Sequence, residues 1–367
     1  MKNIFDPCNM NGIELQNRIL MAPMTRSRTI KGCITTDMNA KYYAQRASAG
    51  LIISEATQIS LQGQGYADTP GIYSQEQIEG WKKTTTAVHE NGGKIFLQLW
   101  HVGRVSSSKV NGLQPLAPSP LEAKDTKVYI FDTPTSKDAT MIPVEMPKQM
   151  DENDILALKK EFRVAAKNAI EAGFDGVEVH AANGYLLDQF LRSNSNKRDD
   201  QYGGSKENRI RLTLEITQEV VEEIGKEKTG VRLSPFIKFK DMDDPEMLET
   251  FMLAAKELNK LDITYIHLCE ADWDDAPEIP QSFREELRAA FKNTIIATGG
   301  YSLEDAKKVI VKDLVDIVGF GRAYIANPDL VERFKKGYKL AEIKDSHTLF
   351  GGRDEVGFSD YPNYTKK

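Results

Sequence analysis

The chain has 367 residues, which is long enough for two ordinary domains or for one large barrel. Acidic and basic residues are interspersed and the net charge is −6, so no basic surface for nucleic acid or an anionic membrane is expected, and a small-molecule substrate is favoured. No segment approaches about 20 apolar residues and the N-terminus lacks a basic and apolar leader, which predicts a cytoplasmic protein without membrane contact. Three scattered cysteines, Cys8, Cys33 and Cys269, have no metal-ligand spacing, so we expect no metal site.

Eight short apolar segments alternate with longer helical patterns along the chain. In chain order they centre near Ile19, Ile53, Phe96, Val177, Leu233, Ile266, Ile296 and Val318. Each is a continuous apolar run, as in strands buried on both faces of a parallel sheet. Residues 76–92, 152–173, 205–225 and 245–261 carry apolar residues at helical spacing. We therefore predict one domain over residues 1–367, a closed (β/α)8 barrel of the TIM type.

Two connections and the C-terminal tail are too long to be simple turns. Residues 106–149, after the third strand, contain Pro-rich and β-branched pieces that predict a lid or small hairpin over one barrel face. An acidic excursion covers residues 270–280 after the sixth strand. The tail, residues 347–367, holds aromatic residues and two glycines and is expected to fold back over the barrel mouth.

His180, Asn183 and Tyr185 follow the fourth strand closely. A neutral imidazole and an amide can both donate hydrogen bonds to one carbonyl oxygen, and a phenol can donate a proton at neutral pH. This set suits the stabilisation of an enolate-like oxygen and the protonation of carbon. The alternative is that His180 and Asn183 only satisfy backbone groups at a strand end and that Tyr185 is a core aromatic residue.

The other strand ends carry groups that suit a phosphorylated heterocycle. Gly299 and Gly300 after the seventh strand and Gly321 with Arg322 after the eighth predict a phosphate site. Thr25, Gln98 and Arg232 add a hydroxyl, an amide and a cation from three strands, which suits a flavin ring. For Arg232 the alternative is an ion pair inside the barrel with Glu178 or Glu55.

Several motifs carry a family resemblance over nearly the whole length. They are NRILMAPMTRSR, GYADTPGIYS, LQLWHVGR, HAANGYLLDQFLRSNSNKRDDQYGGSKENR, VRLSP, ATGGY and VGFGRAYIANPDLV. With them the chain resembles the old yellow enzymes, FMN-dependent NADPH ene-reductases, in the branch of N-ethylmaleimide reductase and 12-oxophytodienoate reductase. The resemblance implies reduction of α,β-unsaturated carbonyl compounds by a ping-pong mechanism, with quinones, nitro compounds, maleimides or prostaglandin-type molecules as further substrates.

The resemblance also assigns roles to residues. Tight, non-covalent FMN binding is expected from Pro23, Met24, Thr25, Ala56, Gln98, Arg232, Gly299, Gly300, Gly321 and Arg322, with NADPH as the reductant. His180 and Asn183 would hold the substrate oxygen, Tyr185 would donate the proton, and Tyr66, Trp100 and Phe350 would line the substrate pocket. Phe350 stands where many relatives have a tyrosine, which puts a hydroxyl contact there in doubt. We expect a monomer or a weak homo-oligomer.

Two other functions remain open from the residues. A flavin-free aldolase or isomerase would keep the barrel and phosphate site, but it would need a lysine or carboxylate base, and none stands out at the strand ends. A flavoprotein that binds phenols or other ligands without turnover would keep the flavin site, although the presence of both the oxygen-binding pair and Tyr185 argues against it.

Overall fold

Eight parallel strands close into a barrel in the computed structural model, which describes residues 2–133, 139–271 and 277–365. The strands are β1 (Ile19–Met21), β2 (Leu51–Ile53), β3 (Ile95–Trp100), β4 (Gly176–Ala181), β5 (Thr229–Leu233), β6 (Tyr265–Cys269), β7 (Thr294–Thr298) and β8 (Ile317–Phe320). Each strand pairs in parallel with the next, and β8 pairs with β1. All eight predicted strands and the predicted barrel are confirmed.

The helices that cover the barrel are α1 (Asp37–Ala44), α2 (Gln75–Glu90), α3 (Glu152–Glu171), α4 (Lys206–Ile224), α5 (Met247–Lys260), α6 (Gln281–Ala290) and α7 (Leu303–Val311). The four predicted helical segments are confirmed as α2 to α5. Sequence signals fix their starts: Ser74 accepts from the Gln77 N–H at the start of α2, and Asp151 accepts from the Asp154 N–H at the start of α3. None of the helices in the described ranges is long and apolar enough to cross a membrane.

Shorter elements complete the chain. The short helices are Ser108–Asn111, Leu186–Leu191, Arg322–Ala326 and Leu330–Lys336, and single 3-10 turns cover Leu61–Gly63, Lys226–Lys228 and Ser346–Thr348. Strand Cys8–Met10 pairs with Ile13–Leu15, Leu116–Ala117 pairs with Lys148–Gln149, and Thr57–Gln58 adds to β3.

Large rings fill the lower part of the barrel interior. Phe96 and Tyr265 are fully buried there, with their ring centroids 5.9 Å apart. A Cβ atom at Gly176 would lie 2.4 Å from the Phe96 ring, and one at Gly230 would lie 2.2 Å from the Tyr265 ring. Glycine at these two strand positions therefore makes room for the rings, which close the barrel at this end and leave its other end for a site.

The insertion after β3 forms the predicted hairpin, in which Lys127–Ile130 pairs antiparallel with Thr140–Pro143. The backbone N–H of Ala67 donates to the Tyr129 carbonyl at 3.1 Å, and the Tyr129 hydroxyl bonds to that of Ser27. These contacts hold the hairpin over the carboxyl end of the barrel.

Two arginines that follow β1 hold the C-terminal segment. Arg26 donates to the carbonyls of Leu349 at 3.0 Å and Gly357 at 2.8 Å, and Arg28 donates to those of Asp354 at 2.6 Å and Val356 at 3.0 Å. Burial lowers the pKa of Arg28 to about 10, which still leaves the guanidinium charged at neutral pH. The segment around Leu349 therefore lies against the carboxyl end of β1.

Residues 272–276 of the acidic excursion expected at 270–280 lie outside the described residues. At its start, Glu270 forms an ion pair with Arg284 at 2.5 Å and accepts from the Tyr301 hydroxyl at 2.7 Å. These bonds join the end of β6 to α6 and to the segment after β7.

A buried ion pair joins the loops after β4 and β5. Arg192 donates to the Asp188 carboxylate at 2.9 Å, and both side chains are almost fully buried. Arg192 also donates to the carbonyls of Ser234 at 2.7 Å and Met242 at 2.5 Å, while Asp188 accepts from the Gly184 N–H at 2.9 Å. The pair therefore fixes the positions of two loops relative to each other.

Replacing one member of this pair should destabilise the fold strongly. We expect Arg192→Met to lower the free energy of unfolding by about 3–5 kcal/mol, because the Asp188 charge would stay buried without its partner. Urea denaturation followed by tryptophan fluorescence measures the change. The matched control is Arg163→Met, which breaks half-exposed pairs with Glu219 and Glu223 and should cost about 1 kcal/mol or less. Equal losses in the two variants would contradict this account.

Candidate active site

A cavity of about 630 Å³ opens at the carboxyl ends of the barrel strands. Fifteen of the sixteen predicted site residues line it: Pro23, Met24, Thr25, Ala56, Tyr66, Gln98, His180, Asn183, Tyr185, Arg232, Gly299, Gly300, Gly321, Arg322 and Phe350. They come from the ends of β1 to β5, β7 and β8 and from the C-terminal segment, so residues far apart in sequence converge at one place, as the barrel topology requires.

Trp100 is the predicted pocket residue that does not line the cavity. Its side chain is fully buried, with the Tyr66 ring stacked at 5.8 Å and the Tyr185 ring edge-on at 5.0 Å between centroids. These two rings come from other loops and cover it. Trp100 therefore supports the wall of the cavity from behind, which corrects the expectation that it lines the substrate pocket.

A tight turn after β4 presents Asn183 and Tyr185 to the cavity. Asn183 and Gly184 have φ angles of +57° and +77°, and the Tyr185 N–H donates to the Ala182 carbonyl at 3.2 Å. Asn-Gly is the pair that mirror-image turns with two positive φ angles favour. The Asn183 N–H donates to the Ser234 hydroxyl at 2.7 Å, which ties the turn to the end of β5.

His180 is a neutral group on this wall. Burial, together with the positive charges of Arg232 and Lys240, holds the pKa of its imidazole well below the usual value. Nδ1 of His180 and Oδ1 of Asn183 are buried and have no hydrogen-bond partner among the described residues. Because buried polar atoms normally find partners, these atoms are suited to a ligand in the cavity.

Tyr185 stands next to this pair. Its hydroxyl lies 3.3 Å from that of Tyr66, and its ring centroid is 5.2 Å from that of His180. An imidazole, a carboxamide and a phenol thus face the same part of the cavity. All three side chains line the cavity, which argues against the alternative that they only satisfy backbone groups or fill the core.

A chain of hydrogen bonds runs beneath the cavity, inside the barrel. Gln98 donates to one oxygen of Glu178 at 2.7 Å, His267 Nδ1 bonds to the other at 2.7 Å, and His267 Nε2 bonds to the Thr298 hydroxyl at 2.7 Å. Burial alone would raise the pKa of Glu178, but His267, the positive charge of Arg232 and the hydrogen bond from Gln98 together outweigh it, and the pKa falls below its usual value. Burial lowers the pKa of His267 more than Glu178 raises it, so the carboxylate is charged and the imidazole is neutral.

These hydrogen bonds argue against the alternative for Arg232, in which it forms an ion pair with Glu178 or Glu55. Glu178 is bonded to Gln98 and His267, and Glu55 accepts from the backbone N–H groups of Arg26 and Ser27, both at 3.0 Å. Neither carboxylate forms an ion pair with Arg232 within the described residues. Arg232 instead donates to Cys269 Sγ at 3.3 Å, and its buried Nε has no partner there.

The residues around Arg232 fit the phosphorylated flavin that the sequence analysis predicts. A guanidinium with an unpartnered buried N–H faces the cavity, which is also lined by Gly299, Gly300 and Gly321, with Arg322 directly after Gly321. Gly300 has a φ of +65°, where a side chain would be strained. A flat heterocycle with a phosphate matches this combination of a fixed cation, little side-chain bulk and a second guanidinium.

Sequence reasoning missed several residues that line the cavity. They are Tyr129 and Met141 of the hairpin, Phe239 and Lys240 of the loop after β5, and Cys269 and Thr298 at strand ends. For the polar chain beneath the cavity a signal existed: Gln98, Glu178 and His267 are polar residues inside otherwise apolar strands. No comparable local pattern marks Lys240, which lies beyond the end of β5.

Comparison with known proteins identifies the family of the chain. Residues 3–341 match the NADH:flavin oxidoreductase / NADH oxidase family. The chain belongs to the old yellow enzyme family. It is therefore a flavin-dependent oxidoreductase, and the family implies FMN as its cofactor. This membership also removes the flavin-free aldolase or isomerase as an interpretation of the barrel.

Individual relatives are similar over almost the full length. The chain is 41% identical to putative 12-oxophytodienoate reductase 11 of Oryza sativa subsp. japonica, over 98% of this chain and 97% of that protein. A structure of morphinone reductase in complex with tetrahydroNAD has a TM-score of 0.94 at 43% identity and covers 100% of this chain and 98% of its own. The old yellow enzyme homologue from Zymomonas mobilis has a TM-score of 0.93 at 40% identity, with 99% and 100% covered.

The lowered pKa of His180 predicts a pH dependence of stability. The unfolded chain takes up a proton near pH 6.5 whereas folded His180 does not, so folding is disfavoured progressively as the pH falls from 7 to 5. Between pH 7 and pH 5, the wild type should lose about 2 kcal/mol of unfolding free energy because of His180, and we expect His180→Asn not to lose this part. Urea denaturation at both pH values measures it. His347→Gln, which removes an exposed imidazole, is the control. An unchanged pH difference in His180→Asn would contradict the prediction.

Proposed function

We propose that this protein is an FMN-dependent ene-reductase that uses NADPH to reduce the activated C=C bond of α,β-unsaturated carbonyl compounds. The observation that carries the proposal is the convergence of His180, Asn183 and Tyr185 on one wall of the cavity whose floor holds Arg232. The buried Nδ1 of His180, which has no partner among the described residues, supports its role as a donor to a substrate oxygen, and Asn183 would add its side-chain NH2 group as a second donor.

In this mechanism His180 and Asn183 donate hydrogen bonds to the carbonyl oxygen of the substrate. Negative charge develops on that oxygen during reduction, and donors held in place beforehand stabilise it. Because His180 is neutral, it acts as a hydrogen-bond donor and not as an acid. Tyr185 then supplies the proton to the α-carbon: its O–H bond breaks, the electron pair of the enolate forms the new C–H bond, and water restores the phenol.

The cofactor would lie between Arg232 and the glycines after β7 and β8. Arg232 would contact the ring, Thr25 and Gln98 would bond to its polar edge, and Arg322 with Gly300 and Gly321 would hold the phosphate. When bound there, FMN would supply the hydride transfer from NADPH to the β-carbon of the substrate. The other residues proposed to hold it are Pro23, Met24, Ala56 and Gly299. The same cavity would admit NADPH and substrate in turn, which makes the cycle ping-pong.

Removing either of the two side chains proposed to bind the substrate oxygen should slow reduction of the substrate. We expect His180→Ala and Asn183→Ala each to lower kcat/KM for 2-cyclohexenone by about 10²- to 10³-fold, the usual cost of one lost oxyanion donor. Flavin should stay bound, because neither side chain is proposed to hold it. Steady-state kinetics and flavin absorbance measure both quantities. Normal enone turnover in either variant would refute the proposed roles.

The proton donor is tested by separating the two halves of the cycle. In anaerobic stopped-flow experiments, Tyr185→Phe should leave reduction of the flavin by NADPH unchanged and should slow its reoxidation by 2-cyclohexenone by about 10²-fold or more, since the α-carbon loses its acid. The control is Tyr129→Phe, because that phenol also lines the cavity but is bonded to Ser27. Equal slowing of both halves in Tyr185→Phe would show that the proton-donor role is wrong.

The same measurement separates the proposal from the other flavoprotein function. A wild-type flavin that bleaches with NADPH and is not reoxidised by the enone would indicate a different substrate class. A flavin that NADPH does not reduce would support a protein that binds ligands without turnover. Mixing with NADH in place of NADPH measures the coenzyme preference.

A further inference from the structure

The loop after β5 contains a conformation that side chains rarely adopt. Lys240 and Asp241 are neighbours, and their φ angles are +64° and +62°. Two non-glycine residues in the left-handed region cost free energy, which the surrounding structure must offset. Here the nearly fully buried Arg104 donates to both carbonyls, at 3.3 Å for Lys240 and 3.1 Å for Asp241, and Asn194 donates to the Asp241 carbonyl at 2.8 Å.

The strained turn packs directly against the turn that presents Asn183 and Tyr185. A Cβ atom at Gly184 would lie 2.9 Å from Cβ of Lys240 and 3.2 Å from the carbonyl oxygen of Phe239, so only glycine permits this approach. The two turns thus pack closely against each other at the cavity wall.

This contact brings a positive charge onto the proposed proton donor. Nζ of Lys240 lies 4.4 Å from the centroid of the Tyr185 ring and donates to the Asn183 carbonyl at 2.9 Å. Lys240 is only 7% exposed, so this charge is less screened than a surface lysine would be. A cation over the face of an aromatic ring is attracted to it, and more strongly as the ring gains negative charge.

We propose that Lys240 is a positioning residue for proton transfer from Tyr185. Its ammonium stabilises the negative charge that develops on the phenol as the proton leaves for the α-carbon of the substrate, and its hydrogen bond to Asn183 fixes the turn that aims the phenol. This inference rests on the proposed function, in which Tyr185 is the proton donor.

Tyr66, His180 and Lys240 are titratable residues of the described part of the chain that face Tyr185. Tyr66 presents its hydroxyl from the segment after Leu61–Gly63, His180 presents its ring from β4, and Lys240 approaches from the loop after β5. His180 is neutral, because burial holds its pKa well below the usual value. Of these three groups Lys240 is therefore the one that brings a positive charge at neutral pH.

The experiment compares Lys240→Met and Lys240→Arg in the flavin-loaded enzyme, each alone and combined with Tyr185→Phe. Reduction by NADPH and reoxidation by 2-cyclohexenone are measured separately by stopped flow, and the reoxidation rate is followed from pH 6 to about 10.5. Lys238→Met is the matched control, because Lys238 lies in the same loop, is exposed and pairs with Asp243 at 2.9 Å. If Lys240→Met does not retain flavin, Lys240→Gln, which keeps a donor for the Asn183 carbonyl, replaces it.

Lys240→Met should slow reoxidation about threefold to tenfold and move its alkaline limb up by about one pH unit, because the phenol loses the charge that favours its ionisation. Lys240→Arg should keep most of the rate and the position of the limb. In the Tyr185→Phe background Lys240→Met should cause no further slowing, and Lys238→Met should resemble wild type throughout.

Two results would overturn the inference while Tyr185 stays the proton donor: an alkaline limb that does not move in Lys240→Met, or the same slowing by Lys240→Met with and without Tyr185. A purely structural role for Lys240 would produce the second result. If Tyr185→Phe alone leaves reoxidation unchanged, the proposed proton donor fails first and this inference fails with it.

Discussion

The closure of eight parallel strands is the constraint on which the other features of this protein depend. Because every strand runs in the same direction, all eight carboxyl ends meet at one face, and residues as distant as Thr25 and Arg322 share one cavity. Strand register sets finer positions: His180 pairs with Arg232 across β4 and β5, and Glu178 pairs with Gln98 across β3 and β4. The barrel thus fixes the floor of the site, and loops and the C-terminal segment supply its walls.

Two sets of buried polar groups near the cavity differ in their hydrogen-bond partners. The carboxylate of Glu178 has partners for both oxygens, as a buried charge requires, and the chain through His267 and Thr298 is fully used within the protein. By contrast, Nδ1 of His180, Oδ1 of Asn183 and Nε of Arg232 belong to cavity-lining residues and have no partners within the described residues. The polar groups of this hydrogen-bonded chain are therefore satisfied within the protein, whereas the three atoms at the cavity are available to a ligand.

Most of the fold and much of the cavity lining could be predicted from the sequence because their signals are local. Continuous apolar runs mark the strands, and the Asn183-Gly184 pair marks the turn that carries Tyr185. Trp100 stands at a strand end, but the sequence does not reveal that rings from two other loops cover it. Lys240 could not be found either, since its position depends on a turn with two positive φ angles, held by Arg104 from a segment more than a hundred residues earlier.

The contacts of Arg26 and Arg28 with the C-terminal segment also bear on how the cavity is completed during synthesis. The backbone carbonyls that these arginines bind, between Thr348 and Gly357, leave the ribosome after all eight barrel strands. A nascent chain that has already closed its barrel therefore still has a cavity open to water on the side where Leu349 and Phe350 will lie. Until that segment arrives, the guanidinium groups of Arg26 and Arg28 lack these carbonyl partners, so closure of this side of the cavity depends on hydrogen bonds between two charged side chains and the last part of the chain to be made.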